Sequence, residues 1–208
     1  MKIGFIGAGT VTRTFGRHLM TAGHTLVVSN SRGPETLAGF VADLGPGAIA
    51  GTKQQAADCD IVILATRWVS VADALKGIDW KGRILIDATN AHVDPVPDIS
   101  LAGVTRSRAA LKGRTSSEMV AEMAAGARLV KSISNIPMDW IQDFSATKPR
   151  TVIFTSGDDI EAKKLVIQGQ LPLKRYPRND FQQEVIVPTA TAAFHHNAVF
   201  ARMLLQQR

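Results

Sequence analysis

Short apolar runs alternate along the chain with longer stretches in which apolar positions recur at helical spacing. The first run, Lys2 to Ile6, predicts a strand, and Val11 to Ala22 predicts a helix that turns at Gly23-His24. Thr25 to Ser29 predicts a second strand. A helix is expected from about Pro34, where proline suits a first turn, with Gly45-Pro46-Gly47 stopping it. Ala48 to Ala50 reads as a short third strand and Lys53 as the start of another helix. Strand four is expected at Ile61 to Ala65, a helix at Val69 to Lys76, and strand five at Arg83 to Asp87. Alternation of this kind is the sequence sign of a parallel sheet with helices on both faces.

The second half is less regular. Asn90 to Gly113, with Pro95 and Pro97 close together, reads as a long irregular loop, and loops of that length are usually functional or mobile. Thr115-Ser116-Ser117-Glu118 has the form of a capping box opening a helix to about Ala125. Leu129 to Ser134 and Thr151 to Thr155 predict strands six and seven. Asp158-Asp159 is expected to cap a helix from Ile160 to Gln168. Leu171 to Tyr176 is a candidate eighth strand. Thr189 to Gln207 predicts a last helix, with Phe194, Ala198, Ala201 and Leu205 on one stripe. The expectation is one domain over residues 1–208, with 170–208 as a carboxyl-terminal strand and helix.

Composition narrows the class. A chain of 208 residues that is 45% hydrophobic suffices for one well-buried core. The single cysteine, Cys59, excludes a disulfide framework or a multi-cysteine metal site and fits a reducing cytoplasm; it reads as a small buried apolar residue. No apolar span approaches ~20 residues, so neither a signal peptide nor a membrane helix is expected. The net charge of +6 suits polyanions, but the basic residues are dispersed and no nucleic-acid motif stands out. A phosphorylated cofactor and an anionic substrate account for the same charge.

Chemistry enters directly after strand one, at Gly7-Ala8-Gly9. A buried strand that ends in a glycine turn and runs into a helix makes a pyrophosphate site. The first glycine permits the tight turn, and the second lets backbone approach the phosphates. The helix start, Thr10 and Val11, then offers free N–H groups. The third small position of that fingerprint is Thr12, which predicts a slightly wider approach of helix to strand. Where a carboxylate would meet a ribose 2′-hydroxyl, the chain has Asn30, Ser31 and Arg32 after strand two. A dianionic 2′-phosphate favours such donors and would be repelled by a carboxylate, so NADP(H) is the expected dinucleotide.

Several segments together resemble the coenzyme-F420-dependent NADP oxidoreductase family. They are Gly7-Ala8-Gly9, Ser29-Asn30-Ser31-Arg32-Gly33-Pro34-Glu35, Asp87-Ala88-Thr89-Asn90, Val130-Lys131 and Gly157-Asp158-Asp159. The resemblance covers residues 1 to 170 and is most specific at the Asn-Ser-Arg-Gly-Pro-Glu segment. It implies a single Rossmann-type domain, and with the pattern above the expected fold is a doubly wound, mostly parallel sheet of about eight strands with a carboxyl-terminal helix. It also implies NADP(H) as cofactor and F420 or a flavin as second substrate. In better-known members hydride passes directly between NADPH and F420, so no side chain need act as acid or base. The chain departs from the family at Thr12, at Thr66-Arg67-Trp68 after strand four, at Ala91-His92, and beyond Gly169.

The expected cofactor-binding set is therefore Gly7, Gly9, Thr10, Val11, Asn30, Ser31, Arg32, Ala65, Thr66, Arg67, Asn90 and Asn135, with no catalytic residue and no metal ligand assigned. Arg67 is either a phosphate contact or a surface arginine, and Trp68 either stacks on a ring or packs into the protein. Asn90 and Asn135 follow strands five and six and are either nicotinamide contacts or turn residues. Arg106, Arg108, Lys112 and Arg114 form a basic run that either receives an anionic tail or is a solvated face. His92, His195 and His196 read as ordinary loop and helix histidines.

Three functions remain open at this point. One is an NADPH-dependent oxidoreductase acting on a small hydride acceptor or donor. Another is an imine or pyrroline-carboxylate type of reductase. The third is a non-enzymatic NADPH-sensing module. No nucleic-acid or membrane partner is expected. A lone domain of this type gives a nicotinamide thin cover, so a homodimer is.

Overall fold

The computed structural model describes residues 1–93, 100–134, 138, 155–167 and 186–187. Its centre is a sheet in the order β3-β2-β1-β4-β5-β6-β7-β8. The strands are β1 (Lys2–Ile6), β2 (Thr25–Ser29), β3 (Ala48–Ala50), β4 (Ile61–Leu64), β5 (Ile84–Asp87), β6 (Arg128–Lys131), β7 (Thr155–Ser156) and β8 (Ile186–Val187). The first six run parallel; β7 pairs antiparallel with β6, and β8 parallel with β7. The chain moves outward from β1 to β3 and then crosses back to β4. The order therefore reverses between β1 and β4, the place where open α/β sheets bind ligands.

Helices α1 (Thr10–Thr21), α2 (Ala38–Leu44), α3 (Lys53–Ala57), α4 (Val71–Leu75), α5 (Leu101–Ala110), α6 (Ser116–Met123) and α7 (Ile160–Leu165) follow in chain order. Both faces of the central strands are covered, which explains their unbroken apolar runs. On one face Ile3, Phe5, Leu26, Val28, Ile61, Ile63 and Ile86 pack against Phe15 and Leu19 of α1, Leu44 of α2 and Ala162 of α7. On the other, Val27, Val62, Leu64 and Leu85 meet Ala56 of α3, Val71 and Leu75 of α4, Val120 of α6 and Trp80. Each large side chain removed from water in this way contributes about 1.5–3 kcal/mol.

Two glycines set how closely the layers approach. A Cβ on Gly4 would overlap the Ala56 carbonyl, so β1 and α3 touch backbone to backbone. A Cβ on Gly16 would lie 3.0 Å from Leu26 Cδ1, so the close approach of α1 to β2 rests there, one turn beyond Thr12.

The doubly wound sheet stands as expected, with local corrections. The segment expected to be an irregular loop contains α5, capped where Ser100 Oγ accepts from Gly103 N at 3.2 Å. Leu101 to Ala110 carries its apolar residues all round, so periodicity gives no sign of a helix there. The helix expected from Pro34 is a 3-10 turn, Pro34–Leu37, leading into α2. The helix expected from Val69 begins with a 3-10 turn, Trp68–Ser70, and is helical proper at Val71–Leu75. Strand four ends at Leu64 rather than Ala65, and strand six spans Arg128–Lys131 rather than running to Ser134. The expected strand at 171–176 and helix at 189–207, with His195 and His196, lie outside the described residues. So do Asn135 and residues 151–154 of the expected seventh strand.

Candidate functional site

Strand register builds the site. Ile6 at the carboxyl end of β1 pairs with Ser29 of β2 and Leu64 of β4; Leu64 pairs with Asp87 of β5, and Asp87 with Lys131 of β6. Counting three residues past each member of that row gives Gly9, Arg32, Arg67, Asn90 and Ser134. The candidates that lie among the described residues thus emerge from one edge of the sheet, beside the β1/β4 reversal.

Gly7 makes the turn. Its φ is +120°, its N–H donates to Ser29 O at 2.9 Å, and a Cβ would overlap the Ala65 carbonyl. Ala65 donates from N to Ile6 O at 2.9 Å. The backbone of Ala65 and Thr66 therefore forms one wall of the glycine loop. Thr12 is buried, and its Oγ1 donates to Gly7 O at 2.7 Å. The residue expected to widen the approach also ties the helix to the turn.

Gly9 is different. A Cβ there would meet nothing within 4 Å, so protein packing does not require a glycine at this position. It is the N-cap of α1, with extended backbone and no side-chain cap. The first main-chain bond of the helix is Arg13 N to Gly9 O at 3.0 Å, which leaves the preceding N–H groups, those of Thr10, Val11 and Thr12, without intrahelical partners. No acidic side chain occupies the first turn to answer its positive end. By contrast, α3, α5, α6 and α7 each start under a side-chain cap, from Thr52, Ser100, Thr115 and Asp159.

After β2, Ser29 Oγ donates to Phe5 O at 3.0 Å inside the sheet. Asn30 spends its amide on the loop: Nδ2 donates to Thr36 Oγ1 at 2.9 Å, and Oδ1 accepts from Arg32 N at 3.0 Å. Ser31 and Arg32 are exposed. Among the described residues neither Arg32 nor Arg67 has an ion-pair partner, whereas Arg13, Arg17, Arg114 and Arg128 are all paired with carboxylates. Trp68 packs against the core layer on the α4 side, which favours the packing role over stacking. In the basic run, Arg114 pairs with Glu122 at 2.5 Å, and Arg106 and Arg108 both have interactions of their own.

The ends of β5 and β6 hold a cluster beside Asn90, of Asp87, Thr89 and Lys131, that sequence reasoning did not assign to the site. Asp87 is fully buried, and its Oδ2 meets Lys131 Nζ at 3.0 Å, with Lys131 itself 12% exposed. Asp87 Oδ1 accepts from Thr89 N at 2.9 Å and from Thr89 Oγ1 at 2.7 Å, while Lys131 Nζ donates to Thr89 O. Asn90 Nδ2 donates to Ser134 O at 2.7 Å. The available signal was two opposite charges, each ending an apolar strand run.

Away from this edge, burial pushes the Cys59 thiol up to about 11, which makes it an inert core residue as expected. No helix among the described residues is long and apolar enough to cross a membrane.

Comparison with known proteins agrees with the resemblance over the amino-terminal segment. Residues 2–91 match the family described as NADP oxidoreductase, coenzyme F420-dependent. That match includes the glycine turn, the Asn-Ser-Arg-Gly-Pro-Glu segment and Asp87 to Asn90, and stops short of Lys131 and Gly157. Among solved structures, a hypothetical protein from Sinorhizobium meliloti is 28% identical, with a TM-score of 0.73 over 93% of this chain and 88% of its own. A protein provisionally named an F420-dependent NADP-reductase from Arthrobacter sp. FB24 is 21% identical, with a TM-score of 0.69 over 100% of this chain and 93% of its own. A reductive aminase from Aspergillus terreus, solved with NADPH and ethyl-5-oxohexanoate, shares the fold at 16% identity and a TM-score of 0.62. That match covers 98% of this chain and 61% of the aminase.

Proposed function

We propose that this chain binds NADP(H) across the carboxyl edge of β1, β2 and β4 and passes hydride between that dinucleotide and a small acceptor, a deazaflavin of the F420 type or a flavin. The observation that carries the reading is the start of α1. Its N–H groups lack a side-chain cap, the space over Gly9 is open, and on the neighbouring loop stands a guanidinium with no ion-pair partner among the described residues.

The residues present fit the dinucleotide. Gly7, Gly9, Thr10 and Val11 would receive its pyrophosphate, since uncapped N–H groups and a positive helix end favour anions. Arg32 and Ser31 would receive the 2′-phosphate on a loop that Asn30 holds in shape. Ala65 and Thr66 form the wall facing the turn, Arg67 would add a second cation to the phosphates, and Asn90 would meet the nicotinamide half.

When bound, NADPH supplies a hydride directly to the acceptor. The chain's own part is to bind, to orient and to keep water from the reacting faces. The match of residues 2–91 to an NADP oxidoreductase family and the NADPH bound to the aminase relative support the choice of nucleotide.

Transfer of deuterium from C4-labelled NADPH tests the reaction, with F420, flavin mononucleotide and a cyclic imine as acceptors. Label is expected in reduced F420 or flavin. Label in the imine alone would move the function to the imine-reductase class. Tight NADPH binding with no transfer to any of them would mark a nucleotide-sensing module.

A further inference from the structure

Asp87 and Lys131 grip Thr89 between them. The carboxylate holds the N–H and hydroxyl of Thr89, and the ammonium holds its carbonyl. Both charged groups are largely out of water, where an ion pair is kept only if its remaining hydrogen-bonding capacity is well satisfied. Here most of that capacity goes into Thr89, immediately before Asn90, and Ser117 Oγ donates a further bond to Asp87 Oδ2 at 3.4 Å.

Asn90 is itself oriented by chemistry that admits one answer. Ser134 O only accepts hydrogen bonds, so the amide facing it must present Nδ2. Asn90 Oδ1 is then turned the other way, and among the described residues no donor occupies it. Asn90 is exposed and lies three residues past Asp87 on the row that includes Gly9 and Arg32.

We infer that the buried Asp87–Lys131 pair is a positioning device that holds Asn90 Oδ1 as a fixed hydrogen-bond acceptor for the nicotinamide-riboside half of the dinucleotide. The groups it suits are donors: a ribose hydroxyl or the carboxamide N–H. This rests on the reading of the edge as an NADP(H) site, and it assigns Asp87 and Lys131 a role through Asn90 with no contact of their own to ligand.

The test compares calorimetric binding of NADPH with that of 2′,5′-ADP, a fragment lacking the nicotinamide half. Replacing Lys131 alone would leave a buried carboxylate without its counter-ion, so the positioning variant is the double Asp87→Asn/Lys131→Gln, compared with Asn90→Ala and with the triple variant. Asn90→Ala and the double variant should each weaken NADPH about ten-fold while leaving 2′,5′-ADP unchanged. The triple variant should be no weaker than Asn90→Ala, since residues acting as a unit are not additive.

On the wild-type protein, independently of any variant, NADPH should slow amide exchange at residues 88–92 and 2′,5′-ADP should not. Equal losses for both ligands, full additivity in the triple variant, or no exchange difference at 88–92 would overturn the positioning role while leaving the nucleotide site intact. A wild-type protein that binds neither ligand would overturn the underlying reading as well.

Discussion

Helices α1 and α6 each start at a loop beside the same sheet, and they start in opposite ways. Thr115 caps α6, accepting from Glu118 N at 3.1 Å, while the Glu118 carboxylate accepts from Thr115 N at 2.6 Å. The bond from Thr115 N–H, and after it one from the Thr115 side chain, holds the Glu118 carboxyl below its ordinary value. At α1 the cap is Gly9, no side chain reaches the free N–H groups, and nothing stands over the glycine.

The loops around them differ in the same sense. On the β5–β6 side Asp87, Lys131 and Thr89 satisfy one another, and Asn90 Nδ2 donates to Ser134 O. On the β1–β2–β4 side Arg32 and Arg67 stand without carboxylate partners among the described residues. Helix ends normally find side-chain or solvent partners, so an end left open between unpaired cations suits an anionic ligand, and the satisfied side suits a rigid frame for it.

The sharpest way to break the comparison is to open the satisfied side. Lys131→Met leaves the buried Asp87 carboxylate without its cation and should destabilise the fold by about 3–5 kcal/mol in chemical denaturation. A loss under about 1 kcal/mol would mean the pair is not the frame described.

Next come the two glycines of one loop. Gly7→Ala forces a side chain into a left-handed turn and against the Ala65 carbonyl, and should cost about 3 kcal/mol. Gly9→Ala meets no neighbour and should cost at most about 1 kcal/mol, yet it should weaken NADPH binding because its methyl enters the open space. Thermal melts beside nucleotide titrations separate the two; equal destabilisation would erase the distinction between packing glycine and ligand glycine.

A smaller effect is expected at α7, another closed helix start. Asp159 accepts from Arg128 Nε at 2.6 Å and from Ala162 N at 2.8 Å, and the Arg128 bond, then the Ala162 bond, lowers its carboxyl from 3.8 to about 2. The folded value is depressed, so this stabilisation is present above the unfolded pKa and lost as pH falls from about 4 through about 2. Asp159→Ala should cost about 1 kcal/mol at neutral pH and nothing below that window, as denaturation across pH will show.

Much of this is legible in the sequence because local chemistry announces it. β1, β2 and β3 lie where their apolar runs place them, each bounded by glycine or polar turn residues, and Thr115-x-x-Glu118 reads directly as a capping box. The same chemistry at Thr52 and Gln55 is easily passed over, because a short helix after a two-residue turn offers little periodicity to draw attention to it. α5 escapes a reading by pattern because its apolar residues favour no face, leaving the Ser100 cap as the sole cue. The glycine loop is visible because glycine's conformational freedom is a local property. The Asp87–Lys131 pair is not, since its partners lie 44 residues apart and meet only through the β5–β6 register.

The central claim is that the open end of α1 and the Arg32 guanidinium receive a 2′-phosphorylated dinucleotide. Titration of the purified protein with NADPH and with NADH, repeated for Arg32→Ala, tests it directly. The account predicts a preference for NADPH of about ten-fold or more, ~1.4 kcal/mol, that Arg32→Ala abolishes while leaving NADH binding unchanged. Equal affinity for the two nucleotides, or a preference untouched by Arg32→Ala, would contradict it.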